Sequence, residues 1–159
     1  MRRFIMTLLF FATINTINAQ EELNVAKGKI SELKVKSKKI HGISLNTYFL
    51  TDLNNDGIFE IIERENKVEN DAPGFLNIEI SSAFEFDKIY KYEKGKYVEN
   101  YSGFKNYLSI RKEHYKLWRR LIEKPENLNR DSKNLIAQNK KSFLEEINEM
   151  ILLIEKKMN

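Results

Sequence analysis

The chain has 159 residues, a formal net charge of +4 and no cysteine. The lack of cysteine excludes a disulfide framework and a lipid anchor attached through cysteine. Charges of both signs alternate along the chain, which is typical of a solvated surface. The small net charge argues against a protein built to neutralise the phosphates of nucleic acid.

The N-terminal segment 1–19 predicts a secretory signal peptide. Arg2 and Arg3 precede a short apolar run, and Ala19 ends a polar stretch at the expected cleavage point. The run is about half of the roughly 20 residues that a membrane-spanning helix needs, so a membrane anchor is the weaker interpretation. Cleavage would leave 140 residues, 20–159, with a formal charge of +2. We expect one domain, secreted or periplasmic, that does not span a membrane after processing.

The segment that follows, 21–40, fits two structures. Apolar residues from Leu23 to Leu33 are spaced as on one face of a helix, whereas Leu33, Val35 and the lysines between them alternate as in a strand. Gly28 weakens the helical interpretation. The sequence leaves this segment open.

The next part of the chain, about 40–101, predicts a sheet. Five segments have the composition or the alternation of strands: 44–51, 58–63, 76–80, 84–86 and 89–98. Gly95 lies in the middle of the last of these, which therefore predicts a hairpin. Between 65 and 74 the chain is polar and ends in a turn by composition.

After Gly103 the apolar period changes from two to about three and a half. One helical face then carries Phe104, Tyr107, Leu108, Tyr115, Trp118, Leu121 and Ile122. Pro125 ends this helix, and Asn129 or Asp131 is the expected N-cap of the next. The second stripe carries Leu135, Ile136, Phe143, Leu144, Ile147, Met150, Ile151, Ile154 and Met158. We expect an α+β fold, a small antiparallel sheet covered on one face by a C-terminal helical hairpin over about 103–158.

The stretch 52–63 has the pattern of a cation-binding loop, because oxygen-bearing side chains occupy alternate positions and a glycine lies at the bend. Its candidate ligands are Asp52, Asn54, Asp56, the carbonyl of Ile58, Glu60 and Glu63. Calcium takes about six to eight oxygen ligands, and a short segment can supply them only if it bends sharply, as Gly57 permits. The spacing predicts a calcium site.

Two known loop patterns fit this spacing. The EF-hand pattern uses Glu63 as the bidentate last ligand, but it needs a helix on each side, whereas both flanks here are predicted strands. Asp-x-Asn-x-Asp-Gly-x-x-Glu between strands resembles the calcium loops of FG-GAP and VCBS-type repeats. This local resemblance implies Glu60 as a ligand and leaves Glu63 free. A single loop cannot close a propeller, so the repeat fold itself is not implied.

The simpler alternative is a tight turn, because Asp, Asn and Gly are common turn residues. A turn needs two or three such residues, whereas this stretch spaces five oxygen-bearing side chains. An all-oxygen set in an exported protein favours calcium over other metals.

Other candidate sites are weak. His41 and His114 are far apart in a chain without cysteine, so we expect no zinc site. No Gly-x-Ser-x-Gly motif frames a serine nucleophile. A basic face on the first C-terminal helix is interpreted as solvated surface; it carries Arg111, Lys112, Lys116, Arg119 and Arg120.

These patterns predict a protein that acts by binding a partner, with calcium in a structural role. The expected contact surface is the aromatic hairpin, with Phe84, Phe86, Tyr90, Tyr92, Tyr97 and Tyr101, although alternation must place part of it in the core. The alternative is a small envelope enzyme, or an inhibitor of one, with an acidic cleft that includes Glu63 or Glu65. Carboxylates with raised pKa in a pocket would favour the enzyme.

Overall fold

The described part of the chain contains two antiparallel β-structures. In the computed structural model, residues 20–37, 39–40, 43–44, 46–68 and 78–159 are described. A small pair is formed by β1 (Lys39–Ile40) and β2 (Ile43–Ser44). The main sheet has four strands in chain order: β3 (Thr47–Thr51), β4 (Glu60–Asn66), β5 (Glu85–Glu93) and β6 (Lys96–Glu99). The turn between β5 and β6 contains Gly95, which confirms the predicted hairpin.

Most of the segment that the sequence left open, 21–40, is a helix, and its last two residues belong to β1. Residues 20–36 are helical and are named α1. Ala26 and Leu33 of α1 are buried against Ile61, Tyr90 and Tyr97 of the sheet. Residues seven apart lie on one face of a helix, whereas in a strand they point to opposite faces. The helix therefore buries both side chains in one cluster, which a strand cannot do.

The other face of the sheet is covered by the predicted helical hairpin. Its helices are α2 (Lys105–Glu123) and α3 (Arg130–Met158). Ile62 and Ile89 of the sheet pack in the same core cluster as the buried faces of both helices. Ile61 and Ile62 belong to different clusters because consecutive strand residues point to opposite faces. The predicted α+β fold, with a small antiparallel sheet followed by a helical hairpin, is confirmed.

The ends of the two long helices follow from local chemistry. A short 3-10 helix, Pro125–Asn127, follows α2, as expected from a proline that cannot continue it. The side chain of Asn129 accepts a hydrogen bond from the backbone nitrogen of Ser132 at 2.8 Å. Of the two N-cap candidates, Asn129 is therefore the one that caps α3.

The strand expected over 76–80 is wrong in its described part. Residues Glu79–Phe84 form a 3-10 helix, and the expected strand over 84–86 begins only at Glu85. Ile80, Ala83 and Phe84 are all fully buried in the cluster beneath α2 and α3. A strand would direct Ala83 and Phe84 to opposite faces, so only a helical turn buries them together.

Two predictions concern export and the membrane. The predicted signal peptide lies outside the described residues. Among the helices of the described segments, none is both long enough and apolar enough to cross a membrane.

Candidate functional site

The candidate calcium loop lies between two paired strands. β3 ends at Thr51 and β4 begins at Glu60, and these two residues are partners in the antiparallel register. The predicted strand-loop-strand context is confirmed. Within the loop, Asn55 and Gly57 have φ angles of 59° and 82°. Glycine adopts this left-handed region without strain, which explains its place at the bend.

The acidic side chains of the loop hold its backbone in this conformation. The Asp52 carboxylate accepts hydrogen bonds from the nitrogens of Asp56 and Gly57, at 3.1 and 2.9 Å. Asp56 accepts from the nitrogen of Ile58 at 2.9 Å and from the side chain of Asn54 at 2.8 Å. The bond from the Ile58 nitrogen, and then the one from Asn54, lower the pKa of the Asp56 carboxyl. Asp56 is thus kept ionised.

Glu60 is the carboxylate at the base of the loop. Its side chain is fully buried, and its Oε2 accepts a hydrogen bond from the backbone nitrogen of Leu53 at 2.9 Å. Its Oε1 is buried and has no hydrogen-bond partner among the described residues. Burial, and then the charges of Asp56 and Asp52, raise the pKa of Glu60. A cation at this point would supply the missing partner and offset the mutual repulsion of the three carboxylates.

Glu63 lies in a different network. Its Oε1 accepts hydrogen bonds from the side chains of Asn46 and Tyr48, at 2.7 and 3.2 Å, and its Oε2 accepts from Tyr90 at 2.7 Å. The ammonium group of Lys88 lies 4.0 Å from the same Oε2. The structure therefore brings Glu60 to the loop and places Glu63 among partners on the face that packs against α1.

The oxygen-bearing side chains of the loop are not gathered around one point. In the described segments, no three His, Cys, Asp or Glu side chains converge as a ready metal-binding group. Asp52 and Asp56 instead bond to the loop backbone, and the predicted set also includes the amide of Asn54 and the carbonyl of Ile58. All of these donors are oxygen atoms, which suit a hard cation. The unpartnered, buried oxygen of Glu60 is the feature of the structure that a cation fits.

A polar cavity lies at the opposite end of α1 from the loop. It has a volume of about 490 Å³, and its lining includes Leu33, Lys36, Glu63, Glu65 and Lys88. Glu65 accepts hydrogen bonds from Lys88, at 2.9 Å, and from Lys67. Burial raises the pKa of Glu65, but the bonds from both lysines outweigh it and lower that pKa. A carboxyl group with a lowered pKa suits an ion pair better than proton donation.

The aromatic contact surface expected from the sequence is wrong. Five of its six side chains are buried: Phe84, Phe86, Tyr90, Tyr97 and Tyr101. Only Tyr92 is half-buried, and its ring packs against Tyr97 at 5.2 Å between centroids. The hairpin lies between helices on both faces of the sheet, so its two aromatic faces are both core.

The two histidines lie in different parts of the chain. His41 lies outside the described residues. His114 is half-buried and its Nε2 lies 3.1 Å from the carbonyl oxygen of Ser82.

Arg111 was expected on a solvated face, but only 8% of it is exposed. Its guanidinium bonds to the carbonyl of Glu85 and lies 3.2 Å from Asp87.

Sequence reasoning did not connect two further residues with the loop. Glu22 of α1 accepts a hydrogen bond from the backbone nitrogen of Phe59 at 3.0 Å, and Tyr97 of β6 donates to the Phe59 carbonyl at 2.9 Å. Glu22 is 37 residues from Phe59 in sequence and Tyr97 is 38. Contacts at this separation depend on the packing of α1 and β6 and leave no local pattern.

Comparisons with known proteins give no relative for this chain. No family model matches it. No curated protein and no solved structure matches it either.

Proposed function

We propose that this protein is an exported calcium-binding module. The ion is held by Asp52, Asn54, Asp56 and Glu60, with the carbonyl of Ile58 completing the set. The observation that carries this proposal is the buried Oε1 of Glu60, which has no partner in the described part of the chain and lies near two further carboxylates. Leaving a charged oxygen buried and unpaired is costly, and a bound cation removes that cost.

The role of the ion in this proposal is structural. The loop joins β3 to β4, which are paired up to Thr51 and Glu60. A cation held between loop residues and the first residue of β4 would fix the connection between these strands. Extracellular calcium modules bind at roughly 0.1 to 1 mM. At about 2 mM calcium, binding of this strength stabilises the folded state by about 0.6 to 1.8 kcal/mol.

The ordered loop would in turn present a partner surface. Ile58 and Phe59 at the end of the loop are 36% and 49% exposed, and Leu23 of the neighbouring α1 is 37% exposed. Leu23 and Phe59 also line a small cavity of about 210 Å³ next to Gly57. Exposed apolar side chains grouped in this way suit contact with another protein. This surface replaces the buried aromatic hairpin as the proposed contact region.

Export is the second part of the proposal, and it rests on the N-terminal sequence. Arg2, Arg3, the apolar run and Ala19 predict cleavage before Gln20. The intact mass of the protein recovered outside the cytoplasm tests this directly. A mature chain that begins at Gln20 supports export, whereas soluble protein that still begins at Met1 would refute it.

Calcium binding is tested by titration calorimetry of the purified protein. We expect the wild type to bind one calcium ion and Asp56→Asn to lose measurable binding. Asp131→Asn is the matched control, because it makes the same change at an exposed residue in the first turn of α3. Wild-type protein that is folded and binds no calcium at millimolar concentrations would refute the proposal.

A further inference from the structure

The peptide group between Ile58 and Phe59 is held from outside the loop. Its N–H group donates to the carboxylate of Glu22, at 3.0 Å, and its C=O group belongs to Ile58, a proposed ligand. The described chain contains no cis peptide bond. In a planar trans peptide the N–H and C=O groups point in opposite directions. Because the N–H group points to α1, the Ile58 carbonyl points away from α1.

The next peptide group is held from the same side. The hydroxyl of Tyr97 lies 2.9 Å from the carbonyl oxygen of Phe59 and 3.4 Å from Oε1 of Glu22. Both peptide groups that flank Phe59 are therefore bonded to α1 or β6. They fix the backbone on either side of Phe59, between the carbonyl of Ile58 and the side chain of Glu60.

Glu60 is directed to the same side as the Ile58 carbonyl. Its neighbour Ile61 is buried in the cluster that packs against α1. Consecutive strand residues point to opposite faces, so Glu60 points away from α1. The proposed carbonyl ligand and the unpartnered carboxylate oxygen thus face one side of the loop, while Glu22 and Tyr97 hold the backbone from the other.

We propose that Glu22 and Tyr97 are positioning residues of the calcium site, and that calcium binding and the docking of α1 onto the sheet stabilise each other. This inference rests on the proposed calcium function. Glu22 fixes the direction of the Ile58 carbonyl, and its negative charge on the N–H side also polarises the peptide and strengthens that oxygen as a ligand. The coupling is reciprocal by linkage, so an ion that orders the Ile58–Phe59 peptide also holds Glu22 and the start of α1 in place.

The first experiment measures calcium affinity by titration calorimetry with calcium alone. Glu22→Gln keeps the shape of the side chain but weakens the hydrogen bond to the Phe59 nitrogen, and we expect calcium affinity to fall about five- to tenfold. Glu21→Gln is the matched control, because it removes the same charge from the adjacent, exposed residue of α1. It separates the loss of positioning from the loss of general negative charge. Tyr97→Phe changes no charge, removes the bond to the Phe59 carbonyl, and should also lower affinity severalfold.

The main readout of the second experiment is on the wild-type protein, and that readout does not depend on how well a variant folds. Hydrogen exchange of the backbone amides in 20–36 is compared in calcium and in chelator. We expect calcium to slow exchange in α1 of the wild type, and to have a smaller effect in Glu22→Gln.

The two proposals fail in different ways. Wild-type protein that binds no calcium overturns the proposed function, and this inference with it. Wild-type protein that binds calcium, with Glu22→Gln equal to Glu21→Gln in affinity and no calcium effect on exchange in 20–36, overturns the positioning role and leaves calcium binding standing.

Discussion

The side chains of Glu60 and Glu63 leave the same strand on opposite faces of the sheet. Glu60 lies at the candidate calcium loop and accepts a hydrogen bond from the Leu53 nitrogen, whereas Glu63 accepts hydrogen bonds from Asn46, Tyr48 and Tyr90. Both carboxylates are buried, at 0% and 4% exposure. Residues three apart in a strand necessarily point to opposite sides, so one loop cannot use both in its present register.

This arrangement predicts which variants lose the effect of calcium on thermal stability. In about 2 mM calcium we expect the melting temperature of the wild type to rise by several degrees relative to chelator. Asp52→Ala should abolish the rise, because it removes one of the proposed ligands. Glu63→Gln should lower the melting temperature in both conditions, since three donors lose a charged acceptor, but should keep the calcium-dependent rise. Loss of that rise in Glu63→Gln would instead favour the EF-hand ligand set.

The raised pKa of Glu60 predicts how stability changes with pH in chelator. Burial, and then the charges of Asp56 and Asp52, raise the folded-state pKa above the unfolded value of about 4.3. Glu60 therefore contributes stability below about pH 4, and this contribution is lost as the pH rises through the folded-state pKa. Glu60→Gln cannot ionise at this position. Its free energy of unfolding should therefore rise relative to that of the wild type between about pH 4 and pH 7. Urea unfolding at both pH values measures this difference. A constant difference would show that Glu60 ionises normally.

Two glycines predict opposite effects of the same substitution. Gly57 has a φ of 82°, so Gly57→Ala should cost about 1 to 2 kcal/mol in the free energy of unfolding. A Cβ at either Gly57 or Gly28 would meet no atom of a more distant residue within 4 Å, so neither effect is a clash. Gly28 lies within α1, and Gly28→Ala should stabilise the protein by about 0.5 to 1 kcal/mol. Chemical unfolding of both variants in chelator checks the signs, and a neutral Gly57→Ala would contradict the loop geometry.

A buried ion network between the sheet and α2 predicts a large loss of stability. Asp87 is 2% exposed and accepts from Arg64 at 2.7 and 3.0 Å and from Tyr107 at 2.5 Å, with Arg111 at 3.2 Å. Asp87→Ala leaves the buried Arg111 without its carboxylate, which should cost about 3 to 5 kcal/mol. Glu85→Ala is the control, since its ion pair with Arg64 is partly exposed and worth less than about 1 kcal/mol.

The same network predicts part of the acid sensitivity. Burial raises the pKa of Asp87, but the bond from Arg64 and the charge of Arg111 outweigh it and lower that pKa. The stabilising contribution of Asp87 is therefore present above about pH 4 and lost as the pH falls through the lowered folded-state value. Unfolding free energies of the wild type and Asp87→Ala should converge in acid. Parallel curves would contradict the network.

The sequence by itself determined the features that depend on neighbouring residues. The apolar period of 3.5 defined the buried faces of α2 and α3, and Pro125 marked the boundary between them, with the N-cap of α3 narrowed to Asn129 or Asp131. Strand-length β-forming segments around Gly57 predicted that the loop joins strands, and Gly57 adopts the positive φ that its position at the bend requires. These features follow from propensities and capping within a few residues, so a single sequence suffices to read them.

Tertiary structure alone decided the features that depend on distant contacts. The sequence could not choose between helix and strand for 21–40, because the helix over 20–36 depends on burying Ala26 and Leu33 against Ile61 and Tyr90. Alternation in 76–80 and 84–86 suggested strands, but Glu79–Phe84 is a 3-10 helix that buries Ile80, Ala83 and Phe84 in one cluster. The sequence could not say which partners Glu60 and Glu63 meet, because the strand register determines the face and the neighbours of each carboxylate.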